Sequence, residues 1–196
     1  LKPLEERVFE SDARSIGDVY HECLMNVGRR IDEGDETPVE TLVDEELGRI
    51  SAVYREGVFG SSKLEEYRLS RIKEICTKAA RAVKQQVESG TVKKMWFEEG
   101  FGRGRTFAPL ELEIDGVKVR VEGKIDRADL LEGDKIRIID YKTGSDKLDI
   151  EKVRAGSKMQ LMIYLMSAAS GEYEPAGLFY FNISEKEENA SKLDEK

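Results

Sequence analysis

GKIDRADLLEGDKIRIIDYK, residues 123–142, is the stretch on which the reading of the fold turns. Ile136, Ile138 and Ile139 give its second half the β-branched character of a strand. The turn residues Glu132-Gly133-Asp134 just before them fold that strand back on the one carrying GKIDRAD. Asp140 and Lys142 lie two residues apart at the strand's end and therefore point to one face. Asp126 closes the preceding strand, one hairpin away, so pairing across the 130–135 turn brings it toward Asp140. Two carboxylates converging at a sheet edge suit a hard divalent cation such as Mg²⁺ or Mn²⁺. A lysine beside them is a compact charge that orients a water and offsets charge developing on a phosphoryl group. Metal-assisted phosphodiester hydrolysis uses all three. The competing reading of Asp140 and Lys142 is a surface ion pair, worth under about 1 kcal/mol.

Upstream of this stretch, Leu110, Leu112 and Ile114 alternate with acids, and Val117, Val119 and Val121 alternate with charged residues. Asp115-Gly116 lies between the two runs and marks a hairpin. Together these segments predict a meander of three adjacent antiparallel strands over 108–142. Downstream, GSKMQLMIYLMSAAS (156–170) predicts a helix and GLFYFNI (177–183) a final apolar strand. On that helix Gln160 and Tyr164 are four apart and share a face, from which they can lean over the strand end or simply serve its amphipathicity.

Residues 1–95 read as mostly helical. Ser15 or Asp12 caps a helix to about Arg30, with Ile16, Val19, Tyr20, Leu24 and Val27 on one face. A second helix covers roughly 39–55, GVFGSS at 57–62 is a break, and a long helix runs from about Ser62 to Gly90. Its apolar positions are Leu64, Tyr67, Ile72, Ile75, Ala79, Ala82, Val83 and Val87. His21, the one histidine, sits on the first helix; it is either structural or a third ligand beside the carboxylates. Residues 96–185 form the sheet core and 186–196 a polar tail.

The chain has 196 residues, 39% of them hydrophobic, and a formal charge of −8. That is enough apolar material for one domain's core, and no run is long enough to span a bilayer. Residues 31–48 hold eight acids and no base, which accounts for the whole excess. Grip on nucleic acid through blanket positive charge is thereby excluded, and a locally focused site is not. Cys23 and Cys76 are too few for a disulfide framework or a zinc motif, which points to a reducing compartment. No signal peptide and no initiator Met are present, so the chain reads as a piece of something longer. Arg103 and Arg105 interleave with Gly100, Gly102 and Gly104 in a segment that is either a flexible loop or a basic loop touching a DNA backbone. Lys147, Lys152, Arg154 and Lys158 follow the DYK strand and either meet phosphates or form a solvated edge. No GxxxxGK is present for a nucleotide-driven motor.

The run GKIDRAD…IRIIDYKTG…GSKMQLMIYL resembles the PD-(D/E)XK nuclease superfamily in its RecB-like branch, and within it the C-terminal nuclease domain of AddB-type helicase/deoxyribonuclease subunits. The resemblance begins near LKPLEERVFESDARSIGDVYHECL, takes in Glu98 to Gly102, and ends near PAGLFYFNI at 175–183. It implies an α/β, restriction-endonuclease-like mixed sheet flanked by helices, with the N-terminal helices belonging to the same nuclease domain. It further implies that His21, Asp126, Asp140 and the Tyr141 carbonyl hold Mg²⁺ or Mn²⁺, with Lys142 catalytic and Gln160 and Tyr164 as the motif that follows. The activity implied is a cytoplasmic exodeoxyribonuclease, processing double-strand ends for recombinational repair beside an AddA-like partner. AddB-type domains are similar to a group whose four flanking cysteines hold a 4Fe-4S cluster. Cys23 and Cys76 occupy neither flank and read as core thiols, so the cluster is expected only in a full-length parent. The rival reading is a non-catalytic fragment that binds DNA or assembles subunits.

Overall fold

The computed structural model describes residues 13–53, 59, 62–142, 149–170 and 173–183. Three helices come first: α1 (Ala13–Asp32), α2 (Val39–Val53) and α3 (Lys63–Glu88). On α1, Val19, Tyr20, Cys23, Leu24, Val27 and Ile31 form one buried stripe at helical spacing, and Arg29 and Arg30 in its last turn complement the carbonyl end of the helix dipole. Ser62 caps α3 by accepting the Glu65 N–H at 3.2 Å, and Gly90, at φ +76°, takes the backbone out of the helix. The buried side of α3 runs through Ile72, Cys76, Ala79, Ala80 and Val83. Leu64 and Tyr67, expected on that side, are exposed. The 57–62 break lies largely outside the described residues. The acidic segment is knit to flanking bases by Arg30 to Asp35 and Glu45, Arg49 to Glu46, Lys73 to Asp44 and Arg81 to Glu40.

The sheet consists of β1 (Val92–Phe101), β4 (Gly123–Leu131), β5 (Lys135–Lys142) and β6 (Glu174–Asn182), in the order β1-β4-β5-β6. β1–β4 and β4–β5 are antiparallel and β5–β6 is parallel, so the sheet is mixed. The parallel pair needs a crossover, which carries α4 (Ile150–Arg154) and α5 (Gln160–Ala168). The sheet separates two cores. α1–α3 bury Met95, Phe97, Tyr141 and Ile183 on one side. On the other, α5 buries Phe101, Ile125, Ala128, Ile136 and Ile138.

The expected three-strand meander is not what forms. Among the described residues β2 (Leu110–Ile114) and β3 (Val117–Val121) pair only with each other, through a turn in which Asp115 and Gly116 both have positive φ. Local alternation specifies that hairpin without specifying what lies beside it. β4 takes β1 as its neighbour instead, and β1 runs across the division drawn between residues 95 and 96.

Candidate functional site

The alternation of β1 and β4 breaks at one shared place. Met95 and Phe97 face the α1–α3 core, whereas Phe101 faces α5. On β4, Ile125 and Ala128 both face α5 although they are three apart. The register pairs Phe97 with Arg127 and Glu99 with Ile125, and between them Glu98 and Asp126 leave the ladder. Glu98 has φ +51°, a left-handed conformation costly for a residue with a Cβ. The slip turns both carboxylates toward α1. β4–β5 pairing stops at Arg127 and Ile139, and beyond it the Asp126 side chain replaces the ladder by accepting the Tyr141 N–H at 3.1 Å.

α1 brings His21 to this opening. Arg29 donates to the Phe97 carbonyl at 2.9 Å and Asp32 accepts the Met95 N–H at 3.0 Å, which fixes the helix along β1. Gly28 lets the two approach, since a Cβ there would lie 2.2 Å from the Phe97 ring. His21 Nδ1 is 3.4 Å from Glu98 Oε1 and 3.7 Å from Asp126 Oδ2, and the ring meets Tyr141 edge-on at 5.8 Å. The donor atoms of His21, Glu98 and Asp126 all fall within 4.8 Å of one another. One imidazole and two carboxylates, half-sunk at a strand opening, form a donor set suited to Mg²⁺, Mn²⁺ or a similar divalent ion. Asp140 stands beside this trio rather than in it. It is 1% exposed, and its Oδ2 is 2.5 Å from Lys142 Nζ, which also lies over the Tyr180 ring at 5.5 Å.

Electrostatics follow from that crowding. Burial first, and then the neighbouring Asp140, pushes the Asp126 carboxyl up to about 6. Burial also works against charge on Glu98, but its bonds to His21 and Lys124 prevail and hold it below the usual carboxylate range. The hydrogen bond to Glu98 raises His21 above an ordinary imidazole, burial opposing. For Lys142 burial pulls down, yet the Asp140 carboxylate outweighs it and the amine lies above its ordinary value. Lys142 is thus an ammonium donor in this state rather than a free base.

Gln160 and Tyr164 share a face of α5, with Gln160 Nε2 donating to the Tyr164 hydroxyl at 2.7 Å. The Tyr164 ring rests on Phe101 at 5.6 Å. Burial raises the Tyr164 phenol, which also feels Asp126 and Asp140. Arg103 and Arg105 are exposed on the loop after β1, and Arg154 on α4 is engaged with Glu151 at 3.1 Å. Lys158 is partly buried, Lys152 lies 3.9 Å from Asp149, and Lys147 is outside the described residues. Glu98 and Lys124 are the members of the site to which sequence reasoning gave no role. An alternating pattern cannot mark a residue at the point where alternation fails.

Beneath the site, Arg127 and Asp129 are fully buried. Asp129 takes Arg127 on both oxygens, at 2.6 and 2.8 Å, and Arg137 Nε at 2.7 Å, while Gln86 of α3 accepts from Arg127 at 2.8 Å. Cys23 and Cys76 are buried free thiols in the helical core, as their sequence positions imply.

Residues 3–196 match the family model of the PD-(D/E)XK nuclease superfamily. The chain belongs to this superfamily. As a PD-(D/E)XK domain it is 31% identical over 203 residues to the B subunit of the ATP-dependent helicase/deoxyribonuclease of Clostridium tetani, covering 92% of this chain and 17% of that protein. The B subunit of the same enzyme from Alkaliphilus oremlandii is 29% identical, covering 94% of this chain and 18% of the relative. The PD-(D/E)XK chain therefore spans under a fifth of the length of these relatives. Among the described residues no helix is long and apolar enough to cross a membrane.

Proposed function

We propose that this domain is a divalent-metal-dependent exodeoxyribonuclease acting on single strands within a cytoplasmic helicase–nuclease that processes double-strand ends. The observation that carries the proposal is the meeting of His21, Glu98 and Asp126 at the β1–β4 slip, with Asp140 and Lys142 alongside. In this reading His21, Asp126, Asp140 and the Tyr141 carbonyl hold Mg²⁺ or Mn²⁺, and Glu98 joins them. When bound, such an ion polarises a phosphoryl oxygen and lowers the pKa of a coordinated water. The rest falls to the chain itself. Lys142, held as an ammonium by Asp140, donates to the attacking water and offsets charge on the phosphoryl oxygens. Gln160 and Tyr164 present a linked amide and phenol on the side where the phosphate would lie. The names of the relatives support a nuclease role in a helicase–nuclease assembly, and an AddA-like subunit is the proposed partner.

The test is degradation of end-labelled linear single-stranded DNA by the 196-residue chain with Mg²⁺, with Mn²⁺ and with EDTA. Cleavage is expected with either ion, none with EDTA, and none from Asp140→Asn. If neither ion gives degradation above that variant, the non-catalytic DNA-binding or assembly reading replaces this one.

A further inference from the structure

Most of the described arginines in this acidic chain are spoken for. Among the described side chains, Arg30, Arg49, Arg68, Arg71, Arg81, Arg120, Arg127, Arg137 and Arg154 each meet a carboxylate, and Arg29 meets the Phe97 carbonyl. Arg103 and Arg105 are without such a partner among the described residues, and both line the same cavity of about 720 Å³. That space lies between the loop following β1, the β2–β3 hairpin and the C-terminal end of α5. Among the described residues its one lining carboxylate, Glu111, is neutralised by Arg120 at 3.0 Å. Two uncompensated guanidinium groups at a concave site call for an anion.

The loop that carries them is held in shape. Gly102 N–H donates to the Phe107 carbonyl at 2.9 Å, Arg103 N–H to Glu122 at 3.3 Å, and the Thr106 hydroxyl to Glu99 at 2.7 Å. The Ser167 hydroxyl donates to the Ala108 carbonyl and pins the loop to α5. Arg105 lays its stem on Gly100, where a Cβ would stand 3.2 Å from its Cδ. Behind the loop sits an aromatic group: Trp96, the one tryptophan, meets Phe107 at 5.4 Å and Tyr173 at 6.1 Å. Phe107 and Tyr173 both line the cavity. Its α5 wall, Ser167 and Ala168, lies about one helical turn from Tyr164, roughly 5 Å along the axis. Unpaired cations beside aromatic faces, next to a phosphate-processing centre, are what a single nucleic-acid strand requires.

We propose that this cavity is a subsite for one nucleotide of a single DNA strand, its flanking phosphates held by Arg103 and Arg105 and its base lying against Tyr173. The proposal rests on the DNA substrate proposed above and not on the metal. It is tested in EDTA by titrating the chain with an oligothymidylate and reading both its anisotropy and the emission of Trp96. Wild type is expected to bind with a change in Trp96 emission. Arg103→Ala/Arg105→Ala should bind more weakly and lower the slope of log K against log salt by about 1.4, at about 0.7 for each single-strand phosphate no longer neutralised. Tyr173→Leu should weaken binding several-fold with the slope unchanged, and Lys63→Ala, remote on α3, should match wild type. Failure of wild type to bind, an unaltered slope in the double variant, or Trp96 emission indifferent to saturating oligonucleotide overturns the proposal. A chain that binds through these arginines yet cleaves nothing with Mn²⁺ keeps the subsite and removes the nuclease reading. A chain that cleaves while Trp96 ignores the strand does the reverse.

Discussion

Lys142 illustrates how a neighbour decides what a residue can do. Burial alone would favour the neutral amine, and the Asp140 carboxylate 2.5 Å away restores the ammonium. As a cation it stabilises charge that develops on a phosphoryl group and adds nothing to the grip on a divalent ion. Lys142→Ala is therefore expected to lower single-turnover cleavage by about 10²- to 10³-fold, the usual loss for one preorganised donor. Mn²⁺ binding, followed by titration calorimetry, should be retained or strengthened, because Asp140 is relieved of its partner. Loss of metal binding in this variant would contradict the assignment. At this scale the sequence placed Asp140 beside Lys142 and Gln160 beside Tyr164, because ordinary strand and helix periods put each pair on one face. Glu98 was not readable, because its position depends on a left-handed residue in mid-strand that no period foretells.

The elements act on the site through contacts that allow little slack. α1 reaches β1 only because position 28 has no side chain, a Cβ there falling 2.2 Å from Phe97. Gly28→Ala should cost about 1–3 kcal/mol by overpacking, measured by urea denaturation. It should also weaken Mn²⁺ binding, since the same helix carries His21 to Glu98 and Asp126. Within the same helical layer, Asp129 joins β4 and β5 to Gln86 of α3 by neutralising Arg127 and Arg137. Asp129→Ala leaves the fully buried Arg127 guanidinium without its carboxylate, and a loss of about 3–5 kcal/mol is expected in the same assay. The helices α1, α2, α3 and α5 and both hairpin turns were legible because apolar periodicity, Ser62, Gly90 and the Asp115-Gly116 and Gly133-Asp134 turns act locally, whereas α4 was not foreseen and α5 is shorter than the expected 156–170 helix. Which strand lies beside which was not legible. β2–β3 alternates as cleanly as a sheet strand, while β1, the true neighbour of β4, loses its alternation at the residue that matters.

Across the whole molecule, the sheet divides two cores, and the candidate metal centre lies where the helical layer meets its loosened end. An ion bound there ties α1 to β1 and β4, so occupancy should register as global stability. At a concentration of about 100 Kd, Mn²⁺ would add about 2.7 kcal/mol, raising the melting temperature of a chain this size by roughly 5–10 °C. The increment should depend on pH with a definite sign. Asp126 titrates near 6 in the folded chain and near the ordinary carboxylate value of 3.8 when unfolded. The folded state therefore binds the extra proton between those values. Without metal, this residue's contribution to stability is fully present below about 4 and is lost as pH rises through about 6, a cost of roughly 3 kcal/mol at neutrality. Metal binding runs the other way, because it needs the carboxylate free of that proton and the His21 nitrogen unprotonated. Differential scanning fluorimetry at about pH 5 and about pH 8 should show the Mn²⁺ increment small at the acid end and large at the alkaline one. Asp126→Asn should abolish both the increment and its pH dependence. An increment that is equal at the two pH values, or larger in acid, would place the bound ion somewhere other than on Asp126.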